Sequence, residues 1–150
     1  GLAKGHQMQL IQVYYGKAFI IDLQCVNPFE HGFREVLESN EVMKIFHDFC
    51  EDASALICQY NLICNFVFDT QIAHRLITDF LQQYDYRNIN IGLNHLLEEY
   101  LGQYNTKKDE INDLMQINPQ FWEQRPLTPT MIEYAAQDVQ YLPQVYEKMR

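Results

Sequence analysis

The feature that most constrains this chain is the order in which its apolar segments change period. Met8 to Tyr15 alternates with β-branched and aromatic residues, Gly16-Lys17 interrupts the run, and Ala18 to Leu23 resumes it, which predicts a β-hairpin. After the break at Asn27-Pro28, Phe33, Val36 and Leu37 share one face of a short predicted helix over 33–38. Two short apolar runs follow, Val42 to His47 and Phe66 to Asp69, and each leads directly into a helical pattern. In the first of these helices, starting at Asp48 or Glu51, Ala53, Leu56, Ile57 and Tyr60 recur at helical spacing. Further helices are predicted over 70–81, 93–100, 110–117 and 130–148. A hairpin, then helix, strand, helix, strand and a helical remainder gives an α/β fold, a mixed sheet flanked by helices. Sheets of this kind place ligands near strand ends.

The last helix carries the clearest start signal. Thr128-Pro129 offers an N-cap with proline at the first helical position, and Thr130 to Glu133 offers a capping box two residues later. Pro143 lies inside this predicted helix and removes a backbone bond, so a bend is expected just after Asp138.

A chain of 150 residues suits one domain with a real core, and it shows no repeat, low-complexity tract or linker. The net charge of −9, with only 11 Lys and Arg, argues against a protein that grips nucleic acid by charge alone. It does not argue against an acidic site whose metal ions meet the phosphate. Cys25, Cys50, Cys58 and Cys64 form no Cys-x-x-Cys pair, and each lies in or beside an apolar run. Buried, reduced thiols in an intracellular protein, cytoplasmic or nuclear, are the expectation. A zinc site on Cys50 and His47 has no usual ligand spacing. No apolar run is long enough to span a bilayer, and no membrane association is expected.

Three segments carry polar residues suited to chemistry. One is Lys44 to Leu56, a strand running into a helix that opens with acids; another is Val67 to His74; the last is Arg125 to Thr128 with Tyr134 to Pro143. Two divalent ions held about 4 Å apart by carboxylates clamp a phosphodiester, and the acids must come from separate elements. Asp52 near a helix start and Asp138 on the last helix are suitable donors. Tyr134 and Asp138, four apart, share a helix face, where a phenol beside a metal-bound carboxylate can orient the attacking water.

These segments resemble the second and third motifs of the DEDDy 3′–5′ exonucleases, RNase D above all. His47, Glu51 and Asp52 match His-x-x-x-Glu-Asp; Tyr134 and Asp138 match Tyr-x-x-x-Asp; Arg125 to Thr128 stand as Arg-Pro-Leu-Thr. Phe68 to Gln71 is similar to the strand and helix between the motifs, and Leu93 to Tyr100 with Asn118-Pro119 and Trp122 is similar to the Egalitarian branch. The resemblance runs in order along nearly the whole chain. It implies an RNase H-like fold, phosphodiester hydrolysis at the 3′ end of RNA or single-stranded DNA, and two Mg²⁺ or Mn²⁺ ions held in part by Asp52 and Asp138. It also implies that Tyr134 orients water, and that protein partners in an RNA-handling complex are possible.

The family's first motif, Asp-x-Glu, is absent from these residues. Gly1 to His6 resembles the loop just after it, so the reading is a domain over 1–150 that is incomplete at its N-terminal side, with that strand upstream. Asp22-Leu23-Gln24 is the nearest imitation, and an ordinary strand-end aspartate is the preferred reading. The alternative function is an inactive exonuclease-fold RNA-binding adaptor or assembly scaffold. Nucleic-acid contacts are expected among His47, Gln71, Lys107, Lys108 and Arg125. Against these stand a hydrogen-bonded structural histidine, a capping or packing glutamine, a solvated lysine pair, and an arginine that either braces the last helix or reaches a phosphate.

Overall fold

The computed structural model describes residues 7–80 and 90–150; the Gly1 to His6 reading and Leu81 lie outside them. Strand β1 (Leu10–Tyr15) pairs antiparallel with β2 (Lys17–Asp22), Leu10 opposite Asp22 and Tyr15 opposite Lys17. Only Gly16 separates the strands, and its φ of 69° supplies the left-handed turn that a side chain would resist. Helix α1 (Phe33–Glu38) follows, with Leu37 buried but Val36 exposed.

Strand β3 (Lys44–Phe46) runs parallel to β4 (Val67–Asp69), with Phe46 in register with Asp69. The predicted six-residue run at Val42 to His47 thus contributes only its centre to the ladder, because His47 and Asp48 already turn toward α2 (Cys50–Tyr60). Helix α3 (Thr70–Phe80) leaves β4 with no intervening loop. Among the described residues the strands form two two-stranded sheets.

Four more helices complete the description: α4 (Leu93–Leu101), α5 (Lys108–Ile117), α6 (Pro129–Gln140) and α7 (Leu142–Met149). Helix α5 starts two residues before its predicted first residue, Glu110, which places Lys108 in its first turn. The start of α6 is settled by Thr128, whose hydroxyl accepts the Met131 N–H at 3.3 Å. The single helix predicted over 130–148 is two helices, broken at Tyr141. Pro143 has no N–H for the Val139 carbonyl and its ring would strike it, so the Tyr141 N–H turns to that carbonyl and α7 restarts.

Helix α6 packs on both hairpin strands, while α7 packs on α3, α4 and β3. Three buried groups fill the interior. Met8, Phe29, Leu37, Ala55, Leu56 and Leu62 join the hairpin entry to α1 and α2. Ile91, Leu96, Leu97 and Val145 join α4 to α7, and Ile111, Phe121, Met131 and Tyr134 join α5 to α6. Each large aliphatic buried this way contributes about 1.5–3 kcal/mol. Only one thiol touches this interior: Cys25, Cys50 and Cys58 are exposed, Cys64 is half-buried against the first cluster, and all are free. The inward face of α2 is taken by Ala55 and Leu56, which turns Cys50, Ile57 and Cys58 outward. Among the described residues no helix is long and apolar enough to cross a membrane.

The hairpin is tied to the approach of α6 by one ion pair. Arg125 grips Asp22 with two parallel bonds, Nη2 to Oδ1 at 2.6 Å and Nε to Oδ2, while Nη1 donates to the carbonyls of Trp122 and Gln124. The guanidinium holds the Asp22 carboxyl below its ordinary value. A depressed carboxylate stabilises the fold above its unfolded pKa and loses that contribution as pH falls through its folded value. Asp22→Asn is therefore expected to lower stability by about 1–3 kcal/mol at pH 7. In urea unfolding, the gap from the parent should close once pH drops below the ordinary carboxylate range.

Candidate active site

The acids of the β3–α2 turn are arranged by Asp69, which lies in the Val67 to His74 segment but receives no role of its own from the sequence patterns. Its Oδ1 accepts from the backbone N–H of Asp48 at 3.1 Å and of Gln71 at 2.9 Å, and its Oδ2 from that of Phe49 at 2.9 Å. One carboxylate thereby caps α3 and fixes the start of α2, holding Asp48 in a left-handed conformation at φ 57°. Asp52 stands in the first turn of α2, where the helix dipole favours an anion. Burial nonetheless raises its pKa, and the neighbouring charges of Glu51, Asp48 and Asp69 raise it further.

His47 closes the strand end. Its Nε2 lies 3.0 Å from the Ile91 carbonyl, an acceptor, so this nitrogen carries the proton. Burial holds the imidazole below its usual pKa, and Nδ1 sits 3.0 Å from the Thr70 hydroxyl. Both ring nitrogens are thus engaged by the protein, which fits the structural reading of His47. His74 is likewise structural: it is buried, with Nδ1 3.1 Å from the Tyr100 hydroxyl.

On α6, Tyr134 and Asp138 lie one helical turn apart, and the Asp138 charge acts on the phenol. Burial, with Asp138 beside it, pushes the Tyr134 phenol well above its ordinary value, so it keeps its proton and acts as a donor. Lys108 Nζ approaches the phenol oxygen at 3.3 Å and lies 5.5 Å from the ring centre, a cation–π distance. An ammonium only donates, so Lys108 gives a bond to the Tyr134 phenol oxygen. Asp138 also accepts from Asn105 Nδ2 at 2.8 Å. Burial raises its pKa, opposed by Lys108, Asn105 and Tyr134. Trp122 packs its ring 5.8 Å from that of Tyr134 and points Nε1 at Met115 Sδ, which confines the phenol from the other side.

The remaining candidates separate by their partners. Lys107 Nζ faces Glu110 at 3.8 Å and Glu133 at 3.7 Å, turned away from its neighbour's role. Arg125 uses every guanidinium nitrogen on the protein, which is the bracing arrangement, and Asp22 is its strand-end partner. Gln71 gives its backbone N–H to Asp69 and leaves its side chain half-buried. Of the two adjacent lysines, only Lys108 reaches the Tyr134–Asp138 pair.

Residues 2–150 match the 3′–5′ exonuclease family. The chain belongs to that family. This exonuclease domain is 27% identical over 143 residues to ribonuclease D of Xanthomonas oryzae pv. oryzae, covering 95% of the chain and 35% of the relative. It is 30% identical over 135 residues to human exosome complex component 10, covering 88% of the chain and 13% of the relative. It superimposes on Trypanosoma brucei RNase D, solved in complex with RNA U12, with a TM-score of 0.79 and 25% identity over 98% of the chain and 50% of that structure. The exonuclease domain therefore has the RNase D type of RNase H-like fold, and it spans about a third or less of those curated relatives.

The fit to divalent metal is partial in this exonuclease domain. Asp52 is a carboxylate whose pKa burial raises, with Glu51, Asp48 and Asp69 raising it further. Asp138 already faces the Lys108 ammonium. Among the described residues, no group of three or more His, Cys, Asp or Glu converges to hold an ion, and this applies equally to Cys50 with His47.

The crowding of Asp52 sets a stability test. A carboxyl whose folded pKa is raised weakens the fold as pH rises through the carboxylate range. Asp52→Asn is expected to raise the melting temperature in EDTA at pH 8, with the gain vanishing below about pH 4, where the parent carboxyl is neutral too.

Proposed function

We propose that the intact protein removes nucleotides from the 3′ end of single-stranded RNA, using Mg²⁺ or Mn²⁺. The observation that carries this is the pairing of Tyr134 with Asp138 on one buried face of α6 beside a lysine. Asp52 and Asp138 would hold metal, and the remaining acids would come from an Asp-x-Glu segment upstream of Gly1. Bound there, two ions would clamp the scissile phosphate and stabilise the attacking and leaving oxygens.

The chain's own residues supply the rest. The Tyr134 phenol, which keeps its proton, would orient the attacking water rather than serve as base. Lys108 presents its charge where the phosphate would lie, and this is the contact that an acidic domain needs. The U12 complex of the Trypanosoma brucei neighbour favours RNA over DNA as substrate. The likeness to an exosome component favours partners in an RNA-handling complex, and with them an intracellular location. His47 and Arg125, already saturated by protein, are not assigned a phosphate; Gln71 and Lys107 lie at the margin of the contact surface.

A second reading is an inactive adaptor or scaffold that binds RNA on the same surface. It is favoured by Lys108, which already counters the Asp138 charge without a metal.

The two separate in one assay. The intact protein with Mn²⁺ and a 5′-labelled single-stranded RNA is expected to produce a 3′–5′ ladder, and Asp138→Asn to reduce its rate by a factor of 10² or more, on the order of one lost metal ligand. A folded protein that gives no ladder with either metal establishes the adaptor reading instead.

A further inference from the structure

Asn105 lies in the loop before α5, outside every segment matched to catalytic chemistry, yet it is among the most buried polar side chains described, 2% exposed. Each of its polar groups has a partner. Its backbone N–H donates to Asn94 Oδ1 at 2.8 Å, and its carbonyl accepts from Asn94 Nδ2 at 3.1 Å, so one side-chain amide holds the loop residue as a strand neighbour would. Its Oδ1 accepts the Lys107 N–H at 3.0 Å. Its Nδ2 donates to the Tyr134 carbonyl at 3.1 Å and to Asp138 Oδ1 at 2.8 Å.

This set fixes the orientation of the amide. Turned over, the side chain would set its oxygen against two acceptors and its NH₂ against an N–H donor. The NH₂ therefore bridges a backbone carbonyl and a carboxylate one helical turn apart on α6, and the carboxylate can satisfy it in one rotamer. The Asn105 amide thus holds Asp138 before any ligand arrives.

We propose that Asn105 is a positioning residue for the metal-holding carboxylate of Asp138, selecting which oxygen faces the site. The inference rests on the reading of Asp138 as a metal ligand. Neither an aliphatic nor an acidic residue substitutes: the first leaves Asp138 free to rotate, and the second sets two buried anions against each other. Outer partners of this kind typically alter metal affinity 10–100-fold.

The test is Mn²⁺ binding by the intact protein, followed by electron paramagnetic resonance, alongside kcat and KM on RNA. Asn105→Asp keeps the side-chain shape and the Lys107 acceptor but loses both donors; Asn105→Ala removes the group outright. Asn94→Ala is the control that loosens the same loop and leaves the Asp138 donor in place. Both Asn105 variants are expected to bind Mn²⁺ about ten-fold or more weakly and to lose kcat with little change in KM. Asn94→Ala should lose melting temperature while keeping the parent's Mn²⁺ affinity. Parental affinity in folded Asn105→Asp and Asn105→Ala, with binding abolished by Asp138→Asn, overturns the role of Asn105 alone. Equal weakening in Asn94→Ala overturns it in favour of a purely structural loop. A parent protein that binds no Mn²⁺ overturns the metal-holding reading of Asp138, and this proposal with it.

Discussion

The structure depends on carrying the Asp138 carboxylate into the interior of α6, where burial penalises its charge. An ion left unpaired there would cost several kcal/mol, so the surroundings are built to offset it. The Lys108 ammonium supplies opposite charge and Asn105 a donor, both from outside α6. Trp122 rests its ring at a tilt against Tyr134, and α5 carries Lys108 to the pair. Arg125 holds the lead-in to α6 against β2.

The two ends of the site solve the same electrostatic problem in opposite ways. Around Asp138, the protein provides compensating charge and donors of its own. Around Asp52, the neighbouring charges of Glu51, Asp48 and Asp69 add to the desolvation that raises its pKa. The first end is held by protein donors and an ammonium, and both carboxyls keep a raised pKa.

Much of this was legible in the sequence because it is local. The hairpin, the β3–α2 and β4–α3 successions and the N-cap at Thr128 depend on neighbours a few residues apart, and they appear close to where periodicity and capping put them. The Tyr134–Asp138 pair was readable for the same reason, being one helical turn. What was not legible is long-range. Nothing near Asn105 or Asp69 signals that a side chain will reach a carboxylate 33 residues away or a backbone N–H 21 residues away. The roles of Lys107 and Lys108 were inseparable until α5 was seen to start early, which turns one toward Glu133 and the other toward Tyr134. The outward thiols show the limit of reading burial from an apolar run: on a helix, alternate faces of one run meet different surroundings.

The Asp69 carboxylate joins the starts of two helices that are otherwise separate pieces of chain. Neither βα corner can open without releasing the other, since each holds part of the same anion. The amide hydrogens of Asp48, Phe49 and Gln71 then belong to a single cooperative opening unit and should exchange with solvent together, although 23 positions separate the first from the last. The flank of the site that carries Asp52 breathes as one body, and whatever anchors that body at one corner rigidifies both.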